Sequence, residues 1–460
     1  MTPNPPARPG QRDLTTGPIA RTLLLFAVPT LASSVLQSLS GSVNAIWVGR
    51  FLGEVALTAT ANANIVLFLL IATVFGFATA TSILVGQAIG RSDLDAARRA
   101  VGAGASLVLA IAFATSIAGW LFAPALLRLM DTPPAALPLA VTYLRIVFLA
   151  MPANFLLSFL MAAQRGAGDA RTPLLFMGVL VLLDIALNPL LIRGAGPFPA
   201  MGIAGSATAT LIASIVAALG LLAFIYARDL PLRLRGGEWR YLRPDPALLR
   251  SIGGKGVPMG LQLLIVSLSG IVMIGFVNSY GVATAAAYGV TVQLWNYIQM
   301  PSLALGAATT AMAAQNIGAN KWDRVGRIAG AGVAMNFLMT GALVALVTVL
   351  DRPALGLFLG SGSGSIEIAA HLHKVVSPGF ILLGVTFVLF GVIRATGDVL
   401  PPLVILAISL FGVRIGAVAL LEPRYHAEAI WWSYPLSSAV SMLLSVAYYR
   451  SGRWKRARML

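Results

Sequence analysis

The sequence has no cysteine, and charged residues make up only 10% of its 460 positions. Without cysteine no disulfide can form, and the sequence gives no sign of the redox compartment. Histidine occurs three times and acidic residues 16 times, so side chains for acid–base or metal chemistry are scarce. Soluble domains carry about one charged residue in four. The shortage of charge therefore excludes an ordinary soluble protein and argues against an enzyme.

Apolar residues take the place of the missing charge. Hydrophobic residues make up 58% of the chain, and its mean hydropathy is +0.85. A helix of about 20 apolar residues crosses the hydrocarbon layer of a bilayer. Such stretches cover 22–48, 55–90, 100–127, 146–164, 172–192, 194–227, 256–320, 328–350, 375–393, 399–421 and 429–449, with one charged residue inside 172–192 and one inside 399–421. Because 256–320 is long enough for two helices joined at the turn NSYG, we predict an all-α polytopic membrane protein with twelve transmembrane helices.

The basic residues indicate the orientation of these helices. Three quarters of the 32 lysines and arginines lie in the two tails and in alternate loops, and short loops rich in these residues stay cytoplasmic. We therefore predict two cytoplasmic termini, with a disordered leader at 1–20 and a basic tail at 451–460. The net charge of +16 is spread over short connectors that meet anionic lipid head groups. It does not form the basic domain of a nucleic-acid-binding protein.

The chain contains an internal repeat. AVPTLASSVLQSLSG at 27–41 matches GVPMGLQLLIVSLSG at 256–270, an offset of 229 residues. Further along, TSILVGQAIGRSDLDAARRA matches TTAMAAQNIGANKWDRVGRI, and RGAGDARTP matches RATGDVLPP. Three separated matches in the same order predict two copies of one structural unit.

Each copy holds six predicted helices, and an even number means that both copies enter the membrane from the same side. We therefore predict two parallel six-helix lobes around a central cavity, at 21–227 and 256–450, with a cytoplasmic linker at 228–255. Parallel repeats of this kind occur in secondary transporters, which alternate access around a site near the bilayer midplane.

Each copy also places an acid and an arginine four residues apart after the repeated loop. Asp95 precedes Arg99, and Asp323 precedes Arg327. Side chains at this spacing are neighbours on a helix, and an ion pair between them contributes a few tenths of a kcal/mol. Both a cytoplasmic gate and a solvated helix start are compatible with the pattern.

The stretch VLLDIALNPLL at 181–191 places Asp184 in an apolar run. An ionisable residue within a span is costly and marks a pathway or relay. Asn188 shares a helix face with Asp184, and Pro189 is expected to kink the helix and leave a carbonyl unpaired. In a dry pocket the charged form of the acid is disfavoured, so it can hold a proton near neutral pH. We interpret these residues as a proton or cation site; the alternative is a permanently protonated Asp184 that only holds helices together.

Other residues within the spans are candidates for lining a substrate cavity. They are Gln37, Gln262, Tyr288, Gln293, Trp295, Asn296 and Met300. Polar groups in a bilayer must find partners, either between packed helices or along a cavity, and the aromatic residues can equally contact lipid or core. Arg414, inside the eleventh span, is either structural or at a contact between the lobes.

The motifs together resemble one known family. The repeated VP helix start, GQAIG, QNIGA, RGAGDARTP and GIAGSATATL are similar, in order and spacing over about residues 20 to 450, to the multidrug and toxic compound extrusion (MATE) family, in its DNA-damage-inducible bacterial branch. The resemblance implies export of small amphipathic or cationic organic compounds by antiport against H⁺ or Na⁺, in the bacterial inner membrane. We expect a monomer without a cofactor or bound metal.

The candidate ion site departs from the pattern of that branch. The first helix there usually carries an acid where this chain has Asn44, and the fifth helix usually reads Asn, three residues, Asp, Pro. Here Asp184 comes first and Asn188 follows. Thr210 matches a polar position that the branch groups with these residues. A different branch places acids in the seventh and tenth helices, which contain none here, so the resemblance confines ion coupling to the N-terminal lobe.

Four alternatives are considered at the level of sequence. A major facilitator exporter would also show six plus six helices, although its loop after the second helix is ordered differently, and a lipid or polysaccharide flippase of a related superfamily usually has more spans. A membrane enzyme lacks support, because His371 and His373 are the only hint of a metal site and no nucleophile lies near a base. A structural scaffold would show no response to solutes.

Overall fold

The computed structural model describes residues 13–194, 199–353, 355 and 365–459. The described residues form helices joined by short turns, and no strand occurs among them. A backbone in lipid must satisfy its own hydrogen bonds, and a helix does so within one segment. The all-α prediction is confirmed. Of the predicted leader at 1–20, only 13–20 are described.

The first half of the chain forms five helices, and the first of them is interrupted. They are α1 (Ile19–Gly90), α2 (Leu94–Leu129), α3 (Leu137–Gly166), α4 (Arg171–Arg193) and α5 (Ile203–Ala227). Gly53, with φ of 81° and ψ of −173°, divides α1 into two arms. Glycine adopts positive φ without steric cost, so one residue suffices for this break. With the two arms counted separately, this half contains the six predicted helices.

The second half begins with a short 3₁₀ helix, Gly236–Leu242, and again contains six crossings. Four of them are single helices: α6 (Pro246–Asn278), α7 (Val282–Gly318), α8 (Trp322–Val349) and α13 (Ala427–Arg450). The fifth consists of α9 (Ser365–Val376) and α10 (Pro378–Arg394), which are bent by 41° relative to each other. The sixth consists of α11 (Leu400–Ala407), a π-helical turn (Ile408–Ile415) and α12 (Gly416–Tyr425). Each interrupted run counts as one crossing. The twelve predicted helices in two repeats are confirmed.

One predicted boundary is wrong. The sixth apolar stretch was expected to be helical from 194, but α5 begins at Ile203. Gly194 with φ of 75° ends α4, and Gly202 with φ of 57° precedes α5. The charge-free run does not reveal this break, because the glycines and prolines of the intervening segment are uncharged and therefore extend the run.

Contacts divide the chain into two compact units. The first consists mainly of Ala32–Gly260. In it α3 packs against α2 and α5, and α5 packs against α4. The beginning of α6 also belongs to this unit, because glycines allow close contact: a Cβ added to Gly76 would lie 2.1 Å from the carbonyl oxygen of Gly256. Small residues commonly let helices approach closely in membranes.

The second unit consists of Leu14–Leu31 and Leu261–Met459. In it α10 packs against α7, α8 and α13. Its core is rich in aromatic side chains, namely Tyr288, Trp295, Phe380, Trp431 and Tyr434. The buried aromatic surface supplies much of the packing of this unit.

The second unit also holds an N-terminal strap, which we define as residues 14–17. Leu14 is fully buried, its N–H donates to Gln315 Oε1 (3.3 Å), and its carbonyl accepts from Asn316 Nδ2 (2.9 Å). Lys321 Nζ donates to the carbonyl of Thr15 (2.9 Å) and Arg324 Nη2 to that of Thr16 (2.7 Å). The end of the predicted disordered leader is thus held on the repeated QNIGANKWDR loop.

Candidate functional site

The acid that interrupts the fifth span lies in a buried position of the first unit. Asp184 is 6% exposed and Asn188 is fully buried, both on α4. The four-residue spacing places them on one face, and Asn188 Nδ2 donates to the carbonyl oxygen (3.0 Å) and to Oδ1 (3.3 Å) of Asp184. The helix continues through Pro189 to Arg193. The predicted acid and amide therefore form one local pair.

Helix α5 contributes a hydroxyl to the same carboxylate. Thr210 Oγ1 donates to Asp184 Oδ1 at 2.9 Å. The two helices approach closely because α5 has a glycine at the contact: a Cβ added to Gly205 would lie 2.3 Å from the carbonyl oxygen of Leu191. The N–H of Met201 also donates to the carbonyl of Leu191 at 3.0 Å. The glycine thus sets the distance at which Thr210 reaches Asp184.

The first arm of α1 completes the cluster. Ser40 Oγ donates to Asp184 Oδ2 at 2.9 Å. One helical turn further, Asn44 Oδ1 accepts a hydrogen bond from Ser206 Oγ of α5 at 2.7 Å. The hydroxyl of Tyr143, a buried residue of α3, also interacts with Asn44. Four helical segments therefore meet around the acid, and the predicted residues Asn44, Asp184, Asn188 and Thr210 lie in one polar cluster.

The negative charge of the Asp184 carboxylate is not balanced by a neighbouring positive charge in the described part of the chain. Each carboxylate oxygen of Asp184 accepts a hydroxyl hydrogen bond, but among the ion pairs of the described residues none includes Asp184. Asn188 Oδ1 is buried and has no hydrogen-bond partner in the described structure. An uncompensated carboxylate within a membrane is costly. A carboxylate beside a free acceptor can be neutralised by a proton or by a small cation.

Sequence reasoning missed three members of this cluster. Ser40, Tyr143 and Ser206 carry no charge and are common residues, so hydropathy does not single them out. A signal did exist for the two serines, because Ser40 lies four residues before Asn44 and Ser206 four residues before Thr210. The same spacing rule that joined Asp184 to Asn188 would have identified both.

The repeated loops carry different contacts in the two units. In the first, Asp95 Oδ2 and Arg99 Nη2 form the predicted ion pair at 2.6 Å, and the Tyr241 hydroxyl donates to Asp95. In the second, no ion pair between described residues joins Asp323 to Arg327. Instead, both side chains line a polar cavity of about 420 Å³ next to the strap. The pairing predicted for both repeats is present in one.

The other predicted polar and aromatic residues differ in how far their side chains are buried. Gln37 and Asn296 are exposed and Gln293 is half-buried. Gln262 is buried, where Nε2 donates to the carbonyl of Val399 (3.2 Å) and Oε1 accepts from Arg394 (3.4 Å). Tyr288, Trp295 and Met300 are buried in the second unit. The structure thus gives Gln262 the partners that a polar side chain within a span requires.

The two candidate metal-binding histidines have separate partners. His371 Nε2 contacts Glu428 Oε1 at 2.7 Å, and His373 Nε2 lies 3.3 Å from Thr348 Oγ1. Both contacts are ordinary hydrogen bonds within the second unit. The arrangement gives the pair structural roles.

Two repeats of six membrane-spanning helices, with a buried acid inside one span, define a multi-pass membrane transporter. The MatE family model matches residues 29–190 and again 258–419, so both copies of the internal repeat carry it. The chain belongs to the MatE family and is a transporter, not an enzyme. This membership rules out the major facilitator alternative.

Individual relatives agree with the family match. The probable multidrug resistance protein YoeA of Bacillus subtilis is 36% identical over 441 residues, covering 95% of each chain. The probable multidrug resistance protein YpnP of the same organism is 30% identical over 449 residues, covering 97% of this chain and 98% of its own. A crystal structure of MATE in the straight conformation superposes with a TM-score of 0.89 at 19% identity, covering 98% of this chain and all of the other.

Proposed function

We propose that this transporter exports amphipathic or cationic organic compounds across the bacterial inner membrane by antiport against H⁺ or Na⁺. The observation that carries the proposal is the placement of Asp184: buried, bonded by hydroxyls from two other helices, and without a cationic partner among the described residues. The names of the relatives, as probable multidrug resistance proteins, support the substrate class. Both termini are proposed to be cytoplasmic, and the active form a monomer.

Protonation of Asp184 changes what its neighbours must do. The ionised carboxylate only accepts hydrogen bonds, whereas the protonated acid must also donate one. Ser40 and Thr210 both donate to it at present, so the added hydrogen needs a new acceptor. After rotation of its amide, Asn188 can offer its unpaired Oδ1. Alternatively the Ser40 hydroxyl reverses, which would loosen the first arm of α1 from α4.

This change supplies a coupling mechanism within the first unit. When the acid is ionised, its carboxylate joins α1, α4 and α5 through charge-assisted hydrogen bonds, which are about twice as strong as neutral ones. When it is neutralised, those contacts weaken. Ion binding thus biases the position of α1 relative to its neighbours, as antiport requires of its coupling ion.

For substrate contact we retain the polar candidates whose side chains are not buried, Gln37, Gln293 and Asn296. Promiscuous binders combine such groups with adaptable apolar surface. The Asp95–Arg99 pair, with both side chains about half exposed, is proposed as a cytoplasmic gate of small energetic weight, because exposed ion pairs contribute little.

The decisive experiment uses purified protein in liposomes and measures efflux of a fluorescent cationic dye, first under a pH gradient and then under a Na⁺ gradient. Wild type is compared with Asp184→Asn, which keeps the shape but cannot ionise, and with Asp184→Glu, which keeps the carboxyl. We expect gradient-driven efflux in wild type, at least partial activity in Asp184→Glu and none in Asp184→Asn.

The gradient that drives efflux in wild type identifies the coupling ion. If Asp184→Asn transports as fast as wild type, Asp184 is structural and the coupling mechanism is wrong. If wild type moves no dye under either gradient, the proposed antiport of cationic compounds is wrong.

A further inference from the structure

The second unit contains a buried cation in its transmembrane region. Arg414 is 7% exposed and lies in the π-helical turn Ile408–Ile415. A guanidinium stays protonated in proteins, and a charge within a span is costly unless it is compensated. Among the ion pairs of the described residues none includes Arg414. Its charge therefore has no acidic partner within that part of the chain.

The contacts of Arg414 come from α13. Its Nε donates to Ser437 Oγ at 3.0 Å, and its guanidinium carbon lies 4.2 Å from the centre of the Tyr434 ring. Ser437 Oγ in turn donates to the carbonyl of Tyr434 at 2.9 Å. A cation over an aromatic face is attracted to the ring, and the guanidinium still carries further N–H donors.

The neighbouring aromatic residues add donors but no free acceptor of comparable strength. The hydroxyls of Tyr288 and Tyr434 lie 2.6 Å apart, so one hydrogen joins the pair and the other hydroxyl hydrogen is left over. Trp295, whose ring centre lies 5.4 Å from that of Tyr434, has a buried Nε1–H without a partner in the described structure. Indole nitrogen only donates. Arg414, Trp295 and the tyrosine pair together form a cluster with surplus donors.

The backbone at Arg414 is also unusual. The π-helical turn is rare in proteins and is frequently found at functional sites. In the alignment of the two repeats Val413 matches Asp184. The second unit therefore carries a cation one residue after the position at which the first unit carries its acid. The two copies of the repeat thus carry opposite charges at neighbouring positions of the alignment.

We propose that the cluster of Arg414, Tyr288, Trp295 and Tyr434 binds the carboxylate of an amphipathic organic ligand. The planar guanidinium matches a carboxylate in two parallel hydrogen bonds, and the indole N–H and free tyrosine hydroxyl complete the donors. The aromatic core that contains these residues also includes Phe380 and Trp431, so the cluster lies in apolar surroundings. This assignment rests on the proposed export function and adds substrates with an acidic group to it.

The test measures binding of a matched pair of fluorescent probes to the purified full chain in detergent. Dansylglycine carries the carboxylate, and dansylglycinamide is the corresponding uncharged amide. We expect wild type to bind dansylglycine about tenfold more tightly, as one charge-assisted contact implies. Arg414→Gln is expected to abolish this preference, because it weakens binding of dansylglycine more than binding of the amide. Equal binding of the two probes by wild type overturns the proposal, as does a preference that survives in Arg414→Gln.

Three controls keep the result interpretable. Trp295→Phe keeps an aromatic ring, although a smaller one, and removes the N–H. It is expected to reduce the preference severalfold, and it decides the matter if Arg414→Gln does not fold. Chloride alone is tested for thermal stabilisation; stabilisation that depends on Arg414 without any preference for dansylglycine would show a site for a small inorganic anion and overturn the proposal. Asp184→Asn is expected to retain the preference, which separates failure of ion coupling from failure of this site.

Discussion

At the scale of the residue, the proposed ion site depends on one carboxylate, Asp184, whose hydrogen-bond partners come from α1, α4 and α5. Asn44 lies in the same cluster, where Ser206 donates a hydrogen bond to it, but as an amide it cannot bind a proton for transport. The related branch places an acid at this position. In the proposed mechanism, coupling therefore depends on Asp184 alone.

This arrangement predicts a rescue. Asn44→Asp in the Asp184→Asn background returns one carboxyl to the cluster, with Ser206 as a hydrogen-bond partner. It is expected to restore part of the pH-driven dye efflux in liposomes. Asn44→Leu in the same background serves as the control, because it adds no ionisable group. Failure of the aspartate variant to exceed the leucine variant would show that coupling requires the position of Asp184 itself.

Sequence reasoning reached the ion site because an acid stands out in an apolar run. It brought Asp184, Asn188, Asn44 and Thr210 together through spacing and resemblance, and the structure places them in one cluster. The serines were missed because a hydroxyl leaves hydropathy almost unchanged. The interpretation of Arg414 stayed open, because its aromatic partner Tyr434 is 20 positions further along the chain and on another helix.

At the scale of the element, glycines decide how closely helices approach. Gly205→Ala would force a methyl group against the backbone of α4, where the carbonyl oxygen of Leu191 is 2.3 Å from the added Cβ. Overpacking of this kind costs about 1 to 3 kcal/mol, and the separation of α5 from α4 would lengthen the bond between Thr210 and Asp184. We expect a lower thermal unfolding midpoint in detergent and slower dye efflux.

Gly178→Ala is the matched control for this prediction. It lies on α4, and an added Cβ there meets no atom within 4 Å. Alanine is the better helix former by about 1 kcal/mol, so the midpoint is expected to stay the same or rise. Equal effects of the two substitutions would mean that the contact at Gly205 does not set the spacing of the helices.

The hydropathy pattern predicts which segments cross the membrane, but backbone conformation sets where the helices begin and end. Charge-free runs predicted the crossings of both repeats, because hydropathy measures the cost of transfer into lipid. The break at Gly53 and the start of α5 after Gly202 depend on positive φ angles. The π-helical turn around Arg414 has no signature in periodicity at all.

At the scale of the whole molecule, the absence of cysteine makes the proposed orientation directly testable. Gly237→Cys places a single thiol in the linker, where an added Cβ meets no neighbouring atom, and Ser279→Cys places one in the exposed turn after α6. In intact cells a membrane-impermeant maleimide is expected to label Ser279→Cys and to reach Gly237→Cys only after permeabilisation. The reverse pattern would invert the assignment of both termini.

The strap has a consequence for biosynthesis. Leu14 hydrogen-bonds Gln315, which lies 301 positions later in the chain, and Leu14–Leu31 belongs to the unit formed by the second half. A ribosome delivers the N-terminus first, so the opening segment of the first helix enters the bilayer before most of its neighbours have been made. Contacts between such distant positions form slowly. The strap is therefore translated long before its partners on α7 and is among the last segments to reach its native environment, and a chain stopped before α7 leaves the strap without those partners.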